Sequence, residues 1–321
     1  MSTRHLVHPS LHLMTLPEVA FTMSDEILTD MRIMRASPIG AEAVEHLEVT
    51  SETLWATCED GHELRLVMYR PANSQSKSLA VIYHIHGGGM VMGSPEMMEV
   101  RNKMLADRLG LAVVSVDYRL APENPYPIPL EDCYVGLIWL LNEASRLGID
   151  VSRVVCLGES AGGGLAAGLG LLLRDRAGPS LLGQYLIYPM IDDRTGSTVD
   201  PAPAMGEFIW NRASNRYGWT SYLGCEPGGA DVPIYAAPAR AEDLSGLPAT
   251  FMYTGSLDLF LEEDIDFAKR LLVAGVPTEL HVYPGGIHAF EMISEGPLMA
   301  QASTDLLRSL TDCLIKDNGS E

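Results

Sequence analysis

The chain has 321 residues, of which 47% are hydrophobic and 20% are charged, so it can bury a large core and is not globally disordered. Its formal net charge of -20 disfavours nucleic acids and anionic lipid as partners, because an acidic surface repels polyanions. The longest apolar run, residues 165 to 173, is too short to span a bilayer, so we expect no stable membrane insertion.

The amino-terminal segment, residues 1 to 43, does not follow the regular pattern of the rest of the chain. Residues 1 to 17 lack the continuous apolar core of a secretory signal, so a cytoplasmic location is expected. A helix is predicted around residues 18 to 35, ending before Pro38, because proline disfavours helical backbone in the residue before it. We expect this segment to form part of a cap over the strand ends.

From residue 44 onward, short β-rich runs alternate with longer helical stretches, which predicts an α/β fold with a mostly parallel, eight-stranded sheet. The first two strands, at 44 to 50 and 62 to 69, are predicted to pair antiparallel across a turn near Asp60 and Gly61. Six further strands are predicted at 79 to 85, 111 to 116, 153 to 157, 184 to 188, 249 to 254 and 279 to 283. Helices are predicted at 96 to 109, 129 to 147, 161 to 176, 260 to 274 and 297 to 315.

A second irregular segment, residues 190 to 240, interrupts this alternation and is too long for a plain connection. It is predicted to be a cap insertion, which leaves residues 44 to 189 and 241 to 321 as the catalytic domain. Its large apolar side chains either line a substrate pocket or only bury the insertion against the main domain, and the sequence favours neither. These side chains are Met205, Phe208, Ile209, Trp210 and Trp219.

A G-x-S-x-G pattern centred on Ser160 follows a predicted strand and opens a predicted helix. Chance gives roughly 0.2 such patterns in a chain of this composition. The location of the pattern between a predicted strand and a predicted helix is therefore stronger evidence than the pattern itself. Glycines at 158 and 162 suit a sharp turn in which side chains would collide with neighbouring elements. We predict Ser160 as the nucleophile, and Glu159 as a hydrogen-bonding support rather than a reacting group.

A glycine run follows the strand predicted at 79 to 85. Such a run leaves backbone N–H groups unobstructed, and two of them together with the N–H of Ala161 can point at one oxygen that gains negative charge. The alternative is a flexible turn. We predict that His86 braces the run by hydrogen bonding, and the run itself is His86-Gly87-Gly88-Gly89.

An acid and a base are expected after later strands, in that order. Asp258 follows the strand at 249 to 254, and His288 follows the strand at 279 to 283. We predict Asp258 as the residue that orients His288, the proton shuttle. Competing carboxylates fall in the next predicted helix, where most are expected to face solvent, or at the start of the insertion, before the later strands. These are Glu262, Glu263, Asp264 and Asp266 in the helix, and Asp192 and Asp193 at the start of the insertion.

Metal and disulfide chemistry find little support in the sequence. His84 and His86 form an H-x-H pair without a third ligand at suitable spacing, so no metal site is predicted. The five cysteines include no C-x-x-C pair, and we expect them to be buried small side chains in a reducing compartment.

The sequence resembles the α/β-hydrolase superfamily, and within it the hormone-sensitive-lipase-like esterases. The resemblance covers residues 80 to 290 and rests on three motifs, at residues 86 to 89, 118 to 123 (Tyr-Arg-Leu-Ala-Pro-Glu) and 158 to 162. It implies that Gly88, Gly89 and Ala161 form the oxyanion hole. One departure is that the chain reads Asp258-Leu259-Phe260 where the family usually has Asp-Pro-Leu.

Together these features predict a carboxylesterase that acts on a small-molecule ester through an acyl-enzyme on Ser160, without any cofactor. The resemblance implies short to medium acyl esters and makes a homodimer an expectation. An amidase, lactonase or carbamate hydrolase with the same three residues stays open, because leaving-group preference depends on pocket shape. A non-catalytic small-molecule receptor on the same fold is the remaining alternative.

Overall fold

The computed structural model describes residues 2–11, 22–34, 44–73, 78–293 and 296–315. Its centre is one eight-stranded sheet with the order β1-β2-β4-β3-β5-β6-β7-β8. Strand β2 pairs antiparallel with β1 and β4, and every other neighbouring pair is parallel. The strands are β1 Val49–Thr57, β2 Glu63–Pro71, β3 Leu79–Ile85, β4 Ala112–Val116, β5 Ile149–Glu159, β6 Gly183–Ile187, β7 Ala249–Gly255 and β8 Thr278–Tyr283.

The predicted number of strands and their mostly parallel arrangement are confirmed, and only the first predicted strand is misplaced. Residues 44 to 47 form a turn closed by a 3.1 Å hydrogen bond from Leu47 N to Val44 O, so β1 begins at Val49. The turn between β1 and β2 does contain Asp60 and Gly61, and Gly61 has a φ of +82°, which favours glycine.

Helices cover both faces of the sheet, and the structure divides two of the predicted ones. Residues 95 to 109 form a short 3-10 turn followed by α2, and residues 128 to 147 form α3 and the four-residue α4 with Glu143 between them. The helices are α1 Asp25–Met34, α2 Glu99–Leu109, α3 Ile128–Asn142, α4 Ala144–Leu147, α5 Ala161–Asp175, α6 Arg212–Leu223, α7 Leu261–Val273 and α8 Pro297–Leu314.

The central strands are buried on both faces. Every residue of β3 is buried, and its alternate side chains enter two different apolar clusters, one on each face of the sheet. Val81 and Tyr83 join the cluster that contains α3 and α5, and Ala80 and Ile82 join the cluster that contains α2 and α8. Two-sided burial explains why these strands read as continuous apolar runs.

The amino-terminal segment and residues 190 to 240 contact each other. Met23 N donates to Ser214 Oγ at 3.0 Å, and the Tyr217 hydroxyl donates to Asp25 at 2.7 Å. The helix predicted at 18 to 35 corresponds to α1, which begins at Asp25, and residues 12 to 21 and 35 to 43 lie outside the described part.

The five cysteines are free thiols. Cys58, Cys133 and Cys156 are buried as expected, but Cys313 is only half-buried, and Cys225 is exposed because it lies just beyond the end of α6. Among the helices that the structure describes, none combines the length and the apolar character that a bilayer crossing requires.

Candidate active site

Ser160 occupies the sharp turn between β5 and α5. Its φ of 54° and ψ of -120° are strained for a non-glycine residue, and such strain persists only where the surroundings enforce it. Ser160 N donates to Ile187 O at 2.8 Å, and Ser160 O accepts from Met190 N at 2.9 Å. The turn is therefore held by the strand and loop beside it.

The glycines around Ser160 are required by close backbone contacts. A Cβ atom on Gly158 would lie 2.2 Å from Gly162 O, and one on Gly162 would lie 2.0 Å from Ile85 O. Real Cβ atoms essentially never approach so closely. Only glycine at both positions lets the turn pack against α5 and against the end of β3.

The structure brings Ser160, His288 and Asp258 together, although 128 residues separate the first two. Ser160 Oγ lies 2.9 Å from His288 Nε2, and His288 Nδ1 lies 2.8 Å from Asp258 Oδ2. The other Asp258 oxygen accepts from Phe260 N at 3.0 Å. The three side chains are buried, and each follows the carboxyl end of a parallel strand, β5, β7 or β8.

The glycine run after β3 lies beside Ser160. A Cβ atom on Gly87 would lie 3.4 Å from Ser160 Cβ, and Gly88 and Gly89 have φ values of +120° and +62°. Neither Gly88 nor Gly89 donates a backbone hydrogen bond to another residue that the structure describes. Ala161 is the first residue of α5, so its N–H has no intrahelical acceptor. Unobstructed amides therefore flank the serine.

His86 supports this run from beneath. Its Nδ1 lies 2.9 Å from Gly87 O, and its ring stacks on Tyr118 with centroids 4.2 Å apart. The Tyr118 hydroxyl donates to His86 O at 2.9 Å. Tyr118, the first residue of the Tyr-Arg-Leu-Ala-Pro-Glu motif, thus fixes the chain at the start of the glycines.

Glu159, next to Ser160, is buried and contacts two basic side chains. Its carboxylate lies 2.8 Å from Arg101 Nη1 and 3.0 Å from His84 Nε2. Burial alone would raise the pKa of Glu159, but the Arg101 charge and the hydrogen bond with His84 outweigh it and hold the pKa at about 2. The second His84 nitrogen lies 2.7 Å from Ser115 Oγ, so the ring is occupied by protein partners on both sides.

The carboxylates of α7 differ from the expectation that they mostly face solvent. Glu262 and Asp266 are exposed, but Glu263 and Asp264 are buried, because their positions on the helix turn toward the sheet. Glu263 accepts hydrogen bonds from the backbone N–H groups of Ile191 and Asp192 at 2.8 and 3.1 Å. Burial, followed by the neighbouring carboxylates, raises the pKa of both Glu263 and Asp264.

Two aromatic rings that sequence reasoning missed surround His288. Tyr188 and Phe260 approach the imidazole edge-on, with centroids 4.8 and 5.2 Å away. The Tyr188 hydroxyl donates to the half-buried Glu291, which also accepts from Tyr253 at 3.1 Å. Tyr188 directly follows β6, and Phe260 lies two residues after Asp258, beyond the end of β7. Their positions after strands are the sequence feature that could have identified them as site residues.

The candidate pocket residues of the insertion have different surroundings. Trp210 is buried against the glycine run, since a Cβ atom on Gly89 would lie 2.4 Å from its ring. Trp219 is fully buried beside Tyr222. Phe208 and Ile209 pack with the apolar cluster of α2 and α8, and Met205 O accepts from Arg212 at 2.7 Å. Trp210 therefore packs directly on the glycine run.

A hydroxyl bonded to an imidazole, whose second nitrogen is bonded to a carboxylate, is the arrangement that activates an oxygen nucleophile. Uncommitted amides beside the hydroxyl can bind the negative charge that forms on an attacked carbonyl oxygen. The site is thus suited to acyl transfer.

Several proteins with similar sequences and structures are named esterases. The chain is 33% identical over 233 residues to an arylesterase of Saccharolobus solfataricus, covering 72% of this chain and 74% of the relative. It is 32% identical over 281 residues to carboxylesterase NlhH of Mycobacterium tuberculosis, covering 85% and 84%. A solved structure described as a bacterial heroin esterase has a TM-score of 0.89 and 35% identity, covering 98% of this chain and 99% of that chain.

The family model for the alpha/beta hydrolase fold matches residues 82–292, which is more than half of the chain. This range contains the glycine run, the Ser160 turn, Asp258 and His288. The sequence resemblance to hormone-sensitive-lipase-like esterases is thereby confirmed, and the chain belongs to the α/β-hydrolase family.

Proposed function

We propose that this protein is a carboxylesterase that cleaves carboxylic esters through an acyl-enzyme on Ser160. The observation that carries the proposal is the buried series of two hydrogen bonds, 2.9 Å from Ser160 to His288 and 2.8 Å from His288 to Asp258. The esterase names of the relatives support the choice of an ester as the substrate.

The reaction proceeds in two halves. His288 Nε2 takes the proton of Ser160 as its oxygen attacks the ester carbonyl, and then gives that proton to the leaving alcohol. Water repeats the sequence on the acyl-enzyme and releases the acid. Asp258 holds the imidazole in the required tautomer and stabilises its protonated form. Side chains carry out each proton transfer, so the mechanism requires no metal or organic cofactor.

The amides of Gly88, Gly89 and Ala161 bind the oxyanion. The positive φ values of the two glycines and the position of Ala161 at the start of α5 support this role. His86, Gly87 and Glu159 support the site from behind, as their contacts with the glycine run and with Arg101 indicate.

The substrate is a small ester with a short to medium acyl chain, as the family resemblance implies.

Residues 1 to 43 and 190 to 240 form a cap on the catalytic domain, residues 44 to 189 and 241 to 321. The hydrogen bonds that Met23 donates to Ser214 and that Asp25 accepts from Tyr217, both on α6, support a cap of two joined pieces. Met205, Phe208, Ile209 and Trp219 belong to the proposed pocket on the sequence argument, and Trp210 also on its contact with Gly89.

The five free thiols support a cytoplasmic location, because an oxidising compartment favours disulfides. A homodimer is also part of the proposal, and it rests on the family resemblance alone.

The decisive experiment is Ser160→Ala combined with covalent labelling. We expect the variant to lose roughly 10⁶ in kcat on a chromogenic ester, because the three residues act as a unit. A fluorophosphonate should label wild-type Ser160, as found by mass spectrometry of the peptide that carries it. Near-wild-type turnover by the variant, or labelling of another residue, would contradict the proposal.

Amide, lactone and carbamate hydrolysis use the same three residues and are separated from ester hydrolysis by pocket shape. Matched esters, amides, lactones and carbamates should therefore be compared by kcat/KM. We expect esters to be the best substrates, with a preference for short to medium acyl chains. A higher kcat/KM for another class would replace the substrate assignment, and turnover of none would favour a receptor on this fold.

A further inference from the structure

A cavity of about 290 Å³ lies between α2, α8 and the 3-10 turn that follows His288. Of the described residues that line it, none is Ser160, Asp258, His288 or one of the glycines at 87 to 89. It is therefore a space separate from the site described above. Its volume is near the lower end of the range for ligand sites, roughly 300 Å³.

The lining of this cavity is mostly apolar and adaptable. Five methionines contribute to it, and flexible thioether side chains suit a surface that accommodates alkyl chains of different shape. These are Met97, Met98, Met104, Met292 and Met299. Leu105 and Leu306 lie deeper, since both are buried, whereas Met292 is 50% exposed and marks the mouth.

The inner polar residues of the cavity already have partners. Arg101 lies 2.8 Å from Glu159, so its charge is balanced. Glu291 accepts hydrogen bonds from Tyr188 and Tyr253, and burial raises the pKa of its carboxyl, which favours the neutral form. The inner end therefore carries no uncompensated charge.

The mouth carries a cation instead. Arg108 is exposed and lies two turns beyond Arg101 on α2, roughly 10 Å along the helix axis. No salt bridge joins Arg108 to another residue in the described ranges. An apolar interior with one free guanidinium at the mouth complements a molecule with an alkyl chain and an anionic head. This local charge contrasts with the net charge of -20 of the chain.

We propose that this cavity binds a free medium-chain carboxylate, with its alkyl chain among the methionines and its carboxylate at Arg108. Binding requires no catalysis, so the inference is independent of the proposed function. The carboxylate remains outside the low-dielectric interior, which avoids the cost of burying an unpaired charge.

The test is to titrate the wild-type protein with sodium hexanoate, octanoate and decanoate and to measure the Kd of each by calorimetry. We expect the Kd to fall about fourfold for each added methylene until the cavity is full. Octanol, which lacks the charge, should bind about fivefold more weakly than octanoate. Equal affinity across the series, absence of binding, or equal affinity of octanol would overturn the proposal.

Two variants locate the ligand. Ser303→Phe adds a ring to the wall on α8 and should weaken octanoate binding at least tenfold, and Arg108→Gln should weaken it about fivefold. Lys269→Gln, an exposed position on α7, makes the same charge change and should have no effect. Unchanged hydrolysis of a chromogenic ester, or an unchanged unfolding midpoint, verifies folding. Octanoate binding that survives both cavity variants would assign the acid to another site and refute the inference.

Discussion

At the scale of single residues, the site depends on positions where only one kind of side chain fits. Ser160 adopts a strained backbone, and Gly162 allows the end of β3 to lie against it. The absence of a side chain at residue 162 is thus a packing requirement as strict as any core contact. Phe260 contacts the same site twice, because its backbone N–H donates to Asp258 and its ring packs edge-on against His288.

Gly162→Ala should destabilise the protein by about 1–3 kcal/mol, because the added Cβ would lie 2.0 Å from Ile85 O and the backbone must move. Gly229→Ala is the matched control, since nothing lies within 4 Å of the added atom there. It should change the free energy of unfolding by less than about 0.5 kcal/mol. Urea unfolding of both variants checks this, and equal effects would show that the contact relaxes at little cost.

The residues of the candidate site were predictable where chain order carried the information. Ser160, Asp258 and His288 each follow a strand whose apolar run is visible in the sequence, and parallel strands bring their carboxyl ends to one edge. Arg101 and Tyr188 were not predictable. Their contacts with Glu159 and His288 depend on which helix and which loop pack together across 58 and 100 residues of chain (159 - 101 and 288 - 188).

At the scale of elements, α7 shows how one helix combines surface and core carboxylates. Asp264 is fully buried, and burial, with the charges of Glu263 and Asp258, raises the pKa of its carboxyl. The folded protein therefore retains a proton that the unfolded chain releases above its ordinary pKa, about 3.9. Between these two pKa values, the free energy of unfolding falls as pH rises, because the unfolded state binds fewer protons.

The Asp264→Asn variant has no carboxyl at this position. Its free energy of unfolding therefore does not fall with pH for this reason. We expect its free energy of unfolding, relative to wild type, to increase from pH 5 to pH 8. Asp266→Asn, exposed on the same helix, should keep a constant difference. Urea unfolding at the two pH values measures both, and a pH-independent difference for Asp264→Asn would mean that its carboxyl ionises normally in the folded state.

Most element positions followed from periodicity, and the exceptions have physical causes. The predicted bounds of β3 equal the observed ones because a run buried on both faces has sharp polar ends. The first strand was misplaced because β1 is an edge strand with mostly exposed residues, so hydrophobicity marks its limits poorly. The contact between the amino-terminal segment and residues 190 to 240 was beyond sequence patterns, since single hydrogen bonds such as Thr3 to Glu207 join residues 204 apart.

At the scale of the whole molecule, 42 acidic residues against 22 basic ones create a negative field that reaches beyond the surface. Such a field raises the encounter rate of cations and lowers that of anions, and salt screens it. The composition of the whole chain, rather than any single contact, is therefore expected to affect the rate at which charged substrates reach the protein.

We expect a positively charged ester to have a higher kcat/KM, relative to an isosteric neutral ester, at low salt than at high salt. The ratio should fall about threefold or more between ionic strengths of roughly 0.01 M and 0.3 M, as the Debye length shrinks from about 30 Å to below 8 Å. Steady-state kinetics at the two ionic strengths measure the ratio. A ratio independent of salt would mean that the field does not reach the site entrance.

The indole of Trp210, packed on Gly89 and hydrogen-bonded through Nε1 to Asn215 Oδ1 at 3.1 Å, gives the protein a built-in optical sensor. Indole emission responds to changes in neighbouring polarity, and here the neighbour is the loop beside the serine hydroxyl. Occupancy of that loop by an inhibitor can therefore be followed by intrinsic fluorescence, without any attached dye.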